Sequence, residues 1–347
     1  MANANSKDST TIFLFPGQGS QKKGMLADLH ASRNVVRETL EQASDALGYS
    51  MARLCIEDPE SQLSLTEYTQ PALLAASTAI WRLLKSELGA STAEVHTRAP
   101  TVAGHSLGEY SALVALGVLD FAEALKLVQI RGRAMQAAVP VGLGAMSAFV
   151  GDHTHHADAL CQESSDAHYR VEVANENSPA QVVVSGHTQA VERFAGLVKE
   201  RKLGRALPLP VSAPFHSSLM APAAAIMAEA LTGAHFHKTN GTIVANVDAA
   251  AYAASDYGRE LLVKQVTQRV KWTATTRHFL KHLDSPATES SKTRFIEIGP
   301  GAVLQGLLRK TIPQNHQHWV EKDNLSILGS DSLESFDKLL ETLARSN

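Results

Sequence analysis

Residues 104–108 read Gly-His-Ser-Leu-Gly, a G-x-S-x-G pentapeptide between a short apolar run and a helical pattern. Few local patterns restrict the backbone so tightly. Thr101-Val-Ala103 supplies a short buried strand. After the turn, Leu107, Tyr110, Ala112, Leu113, Leu116 and Leu119 form a mostly apolar helical stretch. In a strand–tight turn–helix context the central hydroxyl is lifted out of the fold as a nucleophile. Gly104 and Gly108 then remove β-carbons where the bend and the helix–strand approach would collide with them. The competing reading is purely structural: Ser106 opens a buried helix, with Glu109 three residues on as its capping partner.

A core large enough to hold such a turn is available. The chain has 347 residues, 44% of them hydrophobic, a length suited to one large domain plus a smaller one. The 32 basic residues against 35 acidic ones argue against nucleic acid as an obligate partner. Without a long Lys/Arg tract or an apolar stretch of bilayer length, no membrane association is expected. Cys55 and Cys161 stand far apart without metal-ligand spacing, so a reducing compartment is expected and neither is a candidate nucleophile. Residues 1–10 carry no signal-peptide core and read as a disordered leader, which points to a cytoplasmic protein.

Strands alternate with helices in the first part of the chain. Thr11–Phe15 is the first expected strand, running into Pro16-Gly-Gln-Gly-Ser20, a loop whose amides can face a ligand. The dinucleotide spacing G-x-G-x-x-G fails there, because Lys22 stands where the third glycine belongs. Helical patterns follow at 33–47, 71–87 and from Asp120, a plausible N-cap, to Ala138. The pattern then changes. Residues 145–209 read β-α-β-β-α-β, with strands at Ala145–Val150, Tyr169–Ala174, Gln181–Ser185 and Arg205–Leu209. The expected architecture is a hydrolase-like parallel-sheet α/β domain (11–142 and 210–312) with an inserted ferredoxin-like domain (143–209). Residues 284–292 are expected to form an exposed turn, and 313–347 a peripheral C-terminal segment with a polar loop and a helix.

A serine hydroxyl needs a base. Of 15 histidines, His153, His155 and His156 are expected to be solvated, so no metal site is expected there. His235 and His237 lie on a polar turn, and His316 and His318 in a polar tail. His216 lies where the chain re-enters the large domain, in a loop stiffened by Pro210 and Pro214 with Phe215 beside the imidazole. Asp120, Asp152, Asp158 and Asp166 fall between Ser106 and His216, yet none is well placed to complete a triad, which favours a Ser-His dyad oriented by a backbone carbonyl. Arg131 borders the apolar stripe Phe121, Leu125, Val128, Gly132, Met135. It either snorkels to solvent or presents a two-pronged donor to a substrate carboxylate.

The segments Phe15–Gln21, Tyr68–Leu73, Gly104–Tyr110, Ile130–Arg133, Asn177-Ser-Pro179, Ala213–His216, Asn246-Val-Asp248 and Ile298–Gly301 occur in the order found in malonyl-CoA:acyl carrier protein transacylases. The resemblance runs from about residue 12 to 310. It implies Ser106 as the acylated nucleophile, His216 as its base, and Arg131 as the partner of the malonyl carboxylate. It further implies an oxyanion hole from the amides of Gln18 and Leu107, an acyl pocket bordered by Gln70, and the Gln265 carbonyl orienting His216. Asn175 and Asn246 carry over as supporting residues. Phe215 resembles the bulky residue of malonyl-selective relatives, where methylmalonyl-selective forms often have serine.

The implied reaction moves malonyl from malonyl-CoA to the phosphopantetheine thiol of an acyl carrier protein, with no permanently bound cofactor. Wording around Lys22–Met25, Leu54–Asp58 and Ala213–His216 resembles the stand-alone polyketide type, acting in trans, more than the fatty-acid type. Lys22-Lys23, Arg201-Lys202 and Arg309-Lys310 are either a positive rim for an acidic carrier or solvated surface charge. The sequence departs from the family pattern at Ala180, where glycine is common, and in the basic Lys22-Lys23 loop. The alternative activity is a proofreading hydrolase clearing acyl groups from carriers; it would explain the dyad but not the retained Arg131. A non-catalytic docking subunit would leave all three residues without a reason.

Overall fold

The computed structural model describes residues 9–88, 99–211, 213–281, 292–314, 317–321 and 324–344. The leader up to residue 8, all but the last residue of the 284–292 turn and His316 lie outside the described residues, as does the side chain of His318. Among the described residues ten strands form two sheets: β1 (Ser9–Phe15), β2 (Thr101–Gly104), β3 (Gly144–Val150), β4 (Val171–Ser178), β5 (Gln181–His187), β6 (Arg205–Pro208), β7 (Thr242–Val244), β8 (Ala251–Ala253), β9 (Lys292–Glu297) and β10 (Leu325–Leu328).

The large sheet has the order β10-β9-β1-β2-β7-β8. Its pairs are parallel except β7–β8. Parallel strands covered on both faces need apolar residues on both sides, and Ile12, Phe13, Leu14 and Phe15 of β1 are all buried. Phe13 meets the edge of Trp81 with ring centroids 4.9 Å apart, anchoring the almost wholly buried helix Thr66–Glu87. From β1 the chain order moves one way to β2 and the other way to β9. Phe15 is in register with Gly104, so the loops leaving β1 and β2 emerge side by side. Ligand sites in open α/β sheets form at such carboxyl ends.

The second sheet is antiparallel, ordered β4-β5-β3-β6, with its strands and helices in the β-α-β-β-α-β order of a ferredoxin-like unit. It has its own core, in which Phe149 and Phe194 pack edge to face at 5.7 Å. Its β4 runs on to Ser178, beyond the expected end at Ala174. The polar stretch stays extended because β5 pairs with it as far as Ser178↔Gln181 and the large domain pairs with it too: Val270 N donates to Ala174 O at 2.8 Å and Glu176 N to Val270 O at 2.9 Å. Arg269 clamps the same junction, bridging Asp158 at 2.6 Å and Glu176 at 2.7 Å.

The C-terminal segment is more than peripheral. Its β10 is the edge strand of the large sheet, parallel to β9. The helix Leu333–Ala344 buries Phe336, Leu339 and Leu343 in the main core. Among the described residues no helix is long and apolar enough to cross a membrane.

Candidate active site

The turn after β2 has the geometry of a nucleophile elbow. Ser106 takes φ +51°, a left-handed conformation that costs a non-glycine residue about 1 kcal/mol or more and persists only when its surroundings enforce it. They do so through three bonds. Ser106 N donates to Asn246 Oδ1 at 2.7 Å, Asn246 Nδ2 donates to Gly104 O at 2.6 Å, and Gln265 Nε2 donates to Ser106 O at 2.9 Å. A β-carbon on Gly104 would overlap the backbone of Gly108, and one on Gly108 would overlap the Phe15 carbonyl. The capping alternative is excluded by geometry, because Leu107 is the N-cap of the helix Gly108–Leu116 and no side chain bonds there.

His216 comes from the loop after β6 and also sits at positive φ, +58°. Its Nδ1 lies 2.8 Å from Gln265 O, an oxygen that can only accept, so Nδ1 carries the proton. Nε2 is therefore free to accept from Ser106 Oγ at 2.7 Å. Burial, and secondly the Arg131 charge, push the imidazole down to about 3, against the pull of the Gln265 carbonyl. It is neutral near pH 7, the form a general base requires. None of the four aspartates approaches it. Asp120 occupies an N-cap position without a side-chain cap bond and instead pairs with His237 at 3.0 Å. Asp158 holds Arg269, Asp166 holds Arg193, and Asp152 is exposed.

Arg131 does not snorkel. It is 1% exposed, with Nη1 donating to Gln70 Oε1 at 2.9 Å and Nη2 to both Gln265 Oε1 at 2.8 Å and Ser106 Oγ at 3.2 Å. Among the described residues its buried Nε has no acceptor. The Tyr110 ring lies 5.7 Å from the guanidinium carbon. These groups meet in a cavity of about 200 Å³ between the two domains, bordered by Gln18, Gln70, Leu107, Asn175 and Phe215 as well as Ser106, Arg131 and His216. The backbone amides of Gln18 and Leu107 have no protein acceptor among the described residues.

One group bordering the cavity had no separate sequence signal. His105 bonds Asn177 Oδ1 at 2.8 Å and lies edge-on to Trp272, and burial lowers its pKa. Behind the elbow, Glu109 is buried rather than capping. Asn246 and Gln265, carried over by resemblance alone, hold the elbow and the dyad directly. Outside the cavity, the ring nitrogens of the exposed His153, His155 and His156 lie within 4.8 Å of one another. Of the basic pairs, Lys22 bonds Asp331 at 3.4 Å and Arg201 forks onto Glu163, so each already has an internal partner.

The model of the acyl transferase domain family matches residues 12–330. Malonyl CoA-acyl carrier protein transacylase of Escherichia coli (strain K12) is 43% identical over 300 residues, covering 86% of this chain and 92% of the relative. The chain belongs to the malonyl-CoA:acyl carrier protein transacylase family. The transacylase of Haemophilus influenzae is 44% identical over 299 residues, covering 86% of this chain and 91% of that protein. Among solved members, the fabD transacylase of Coxiella burnetii superposes with a TM-score of 0.85 at 35% identity, covering 98% of this chain and 99% of the other. A malonyl-transacylase solved in complex with its type II PKS acyl-carrier protein gives 0.84 at 41% identity, covering 96% and 100%. Family membership therefore extends over the small domain and the C-terminal strand as well as the elbow.

Proposed function

We propose that the protein transfers malonyl from malonyl-CoA to the phosphopantetheine thiol of an acyl carrier protein, for polyketide or fatty-acid synthesis, through a malonyl ester on Ser106. The observation that carries this reading is the shared position of Ser106 Oγ. It lies 2.7 Å from His216 Nε2 and 3.2 Å from Arg131 Nη2. One hydroxyl is thus within reach of both a base and a buried cation, as attack on a short acyl chain ending in carboxylate requires.

His216 Nε2 takes the Ser106 proton as Oγ attacks the thioester carbonyl. The Gln18 amide and the Leu107 amide, the latter at the positive end of the helix Gly108–Leu116, face the developing oxyanion. Collapse breaks the C–S bond, and the imidazolium returns its proton to the coenzyme A thiolate. The carrier thiol then gives its proton to His216 and attacks the ester, and the second collapse restores Ser106. Throughout, Arg131 holds the distal carboxylate. Asn246 and Gln265 hold the elbow and the imidazole, while Gln70, Asn175 and Phe215 border the acyl group.

Intact-mass measurement after mixing with malonyl-CoA tests the reading. The expected result is a one-malonyl adduct that is absent in Ser106→Ala and disappears when a holo carrier protein is added, with malonyl recovered on the carrier. Adduct formation followed by release of free malonate, with nothing on the carrier, would establish a hydrolase instead. No adduct on active protein would remove the covalent mechanism.

A further inference from the structure

Glu109 is a buried acid next to the elbow that the transfer mechanism does not use, and it does not border the cavity. Its neighbours all donate. Asn246 N and Tyr257 Oη bond to Oε1 at 3.0 and 2.8 Å, and Gln265 Nε2 bonds to Oε2. Such a pattern suits an acceptor on both oxygens, which an ionised carboxylate provides. Burial raises the carboxyl to about 7 even against the opposing pull of hydrogen bonds from all three and of the Arg131 charge beyond them.

The Gln265 carboxamide is the link to the site. Its Nε2 faces two acceptors, Ser106 O and Glu109, while its Oε1 faces Arg131 Nη2 at 2.8 Å. Turning the amide over would set Oε1 against those two oxygens and set its NH2 against the guanidinium. Glu109, together with Ser106 O, therefore sets which end of Gln265 Arg131 meets.

We infer that Glu109 is a positioning residue for acid selectivity, acting through the Gln265 carboxamide to hold the Arg131 guanidinium where a substrate carboxylate can pair with it. This rests on the proposed pairing of Arg131 with the malonyl carboxylate. In Glu109→Gln, Tyr257 and Asn246 N retain the oxygen end, so the new NH2 faces Gln265 and favours the turned amide. Arg131 then confronts a donor in place of its acceptor. A purely structural role, as an acid in the first turn of a helix, predicts something else: a lower melting temperature and equal losses for every acyl donor.

Single-turnover acylation of Ser106, followed by intact mass with malonyl-CoA and with acetyl-CoA, separates the two. In Glu109→Gln the malonyl-to-acetyl rate ratio is expected to fall about ten- to hundredfold, the worth of a misoriented hydrogen bond to a charged group. Arg131→Ala is the reference. If Arg131→Ala lowers the ratio and folded Glu109→Gln leaves it at the wild-type value, the inference is overturned and the Arg131 reading stands. If neither lowers it, the Arg131 reading fails and takes the inference with it. Should Glu109→Gln not fold, Gln265→Met removes the carboxamide and keeps the backbone carbonyl on His216. A wild-type ratio there would equally overturn the relay.

Discussion

Replacing Arg131 with alanine is the most demanding test of the proposed chemistry, because it should act on two observables in defined directions. The guanidinium is 1% exposed and bonds Gln70, Gln265 and Ser106. Truncating one partner of a buried, hydrogen-bonded charge pair costs about 2–5 kcal/mol, so kcat/KM for malonyl-CoA should fall roughly 30- to 5,000-fold. Acetyl-CoA brings no carboxylate and leaves the buried cation unpaired in the wild type, so its use should hold steady or rise. The second observable is pH. His216 sits at about 3 because of burial first and the Arg131 charge second. The neutral form is the base, so activity is lost as pH falls through this pKa. Removing the cation makes the imidazolium less unfavourable and raises the pKa, so the acid limb should move to higher pH. Stopped single-turnover acylation across an acid pH series, with both donors, reads both effects. Equal losses for malonyl and acetyl would refute the carboxylate pairing. An unmoved acid limb would refute the electrostatic coupling between the guanidinium and the imidazole.

Two further substitutions probe the pocket wall and the elbow. Phe215 is buried and borders the cavity, so Phe215→Ser should open space beside the acyl chain and raise methylmalonyl use relative to malonyl about tenfold; an unchanged ratio in competing-donor assays would dismiss it as a selectivity wall. Gly108→Ala would drive a β-carbon into the Phe15 carbonyl and to 2.9 Å from Pro16 O, both backbone atoms with little room to move. A stability loss of a few kcal/mol is expected in thermal melts, and a wild-type melting temperature with full activity would contradict the close approach.

Much of this site was legible because its parts announce themselves locally. The strand, two glycines and serine of the elbow lie within eight residues, and β1 shows its apolar run without interruption. His216 stood out through its prolines and its position at a domain boundary. What sequence reasoning missed is long-range. Glu109 resembled a capping acid because its actual partners, Asn246, Tyr257 and Gln265, are 137 to 156 residues away. Gln265 and Asn246 carry no local sign of their roles, which depend on contacts 49 to 159 residues away. At the C-terminus, β10 has four residues and its flanks are polar, so nothing in the pattern distinguishes an edge strand from a loop. β4 outran its expected end because β5 and, from the other domain, Val270 both pair with its polar stretch. Nor could Ala251–Ala253, three residues in an alanine-rich stretch, signal the antiparallel edge strand β8.

The missing acid of the triad and the buried arginine belong to one electrostatic arrangement. A carboxylate behind the histidine would fix its tautomer and also stabilise the imidazolium formed on proton transfer. The Gln265 carbonyl does the first task at 2.8 Å but brings no net charge. Arg131, sharing the Ser106 hydroxyl with His216, makes the imidazolium less favourable still. On the proposed roles, a malonyl carboxylate paired with Arg131 supplies the compensating negative charge, and does so only while the correct acyl donor is bound. Substrate thus completes the electrostatics that a third residue provides elsewhere. Such a site discriminates in the proton-transfer step as well as in binding, so acids should be favoured over neutral acyl chains in kcat and not in KM alone. If saturating acetyl-CoA acylated Ser106 as fast as saturating malonyl-CoA, Arg131 would be acting by uniform binding and the charge compensation would be absent.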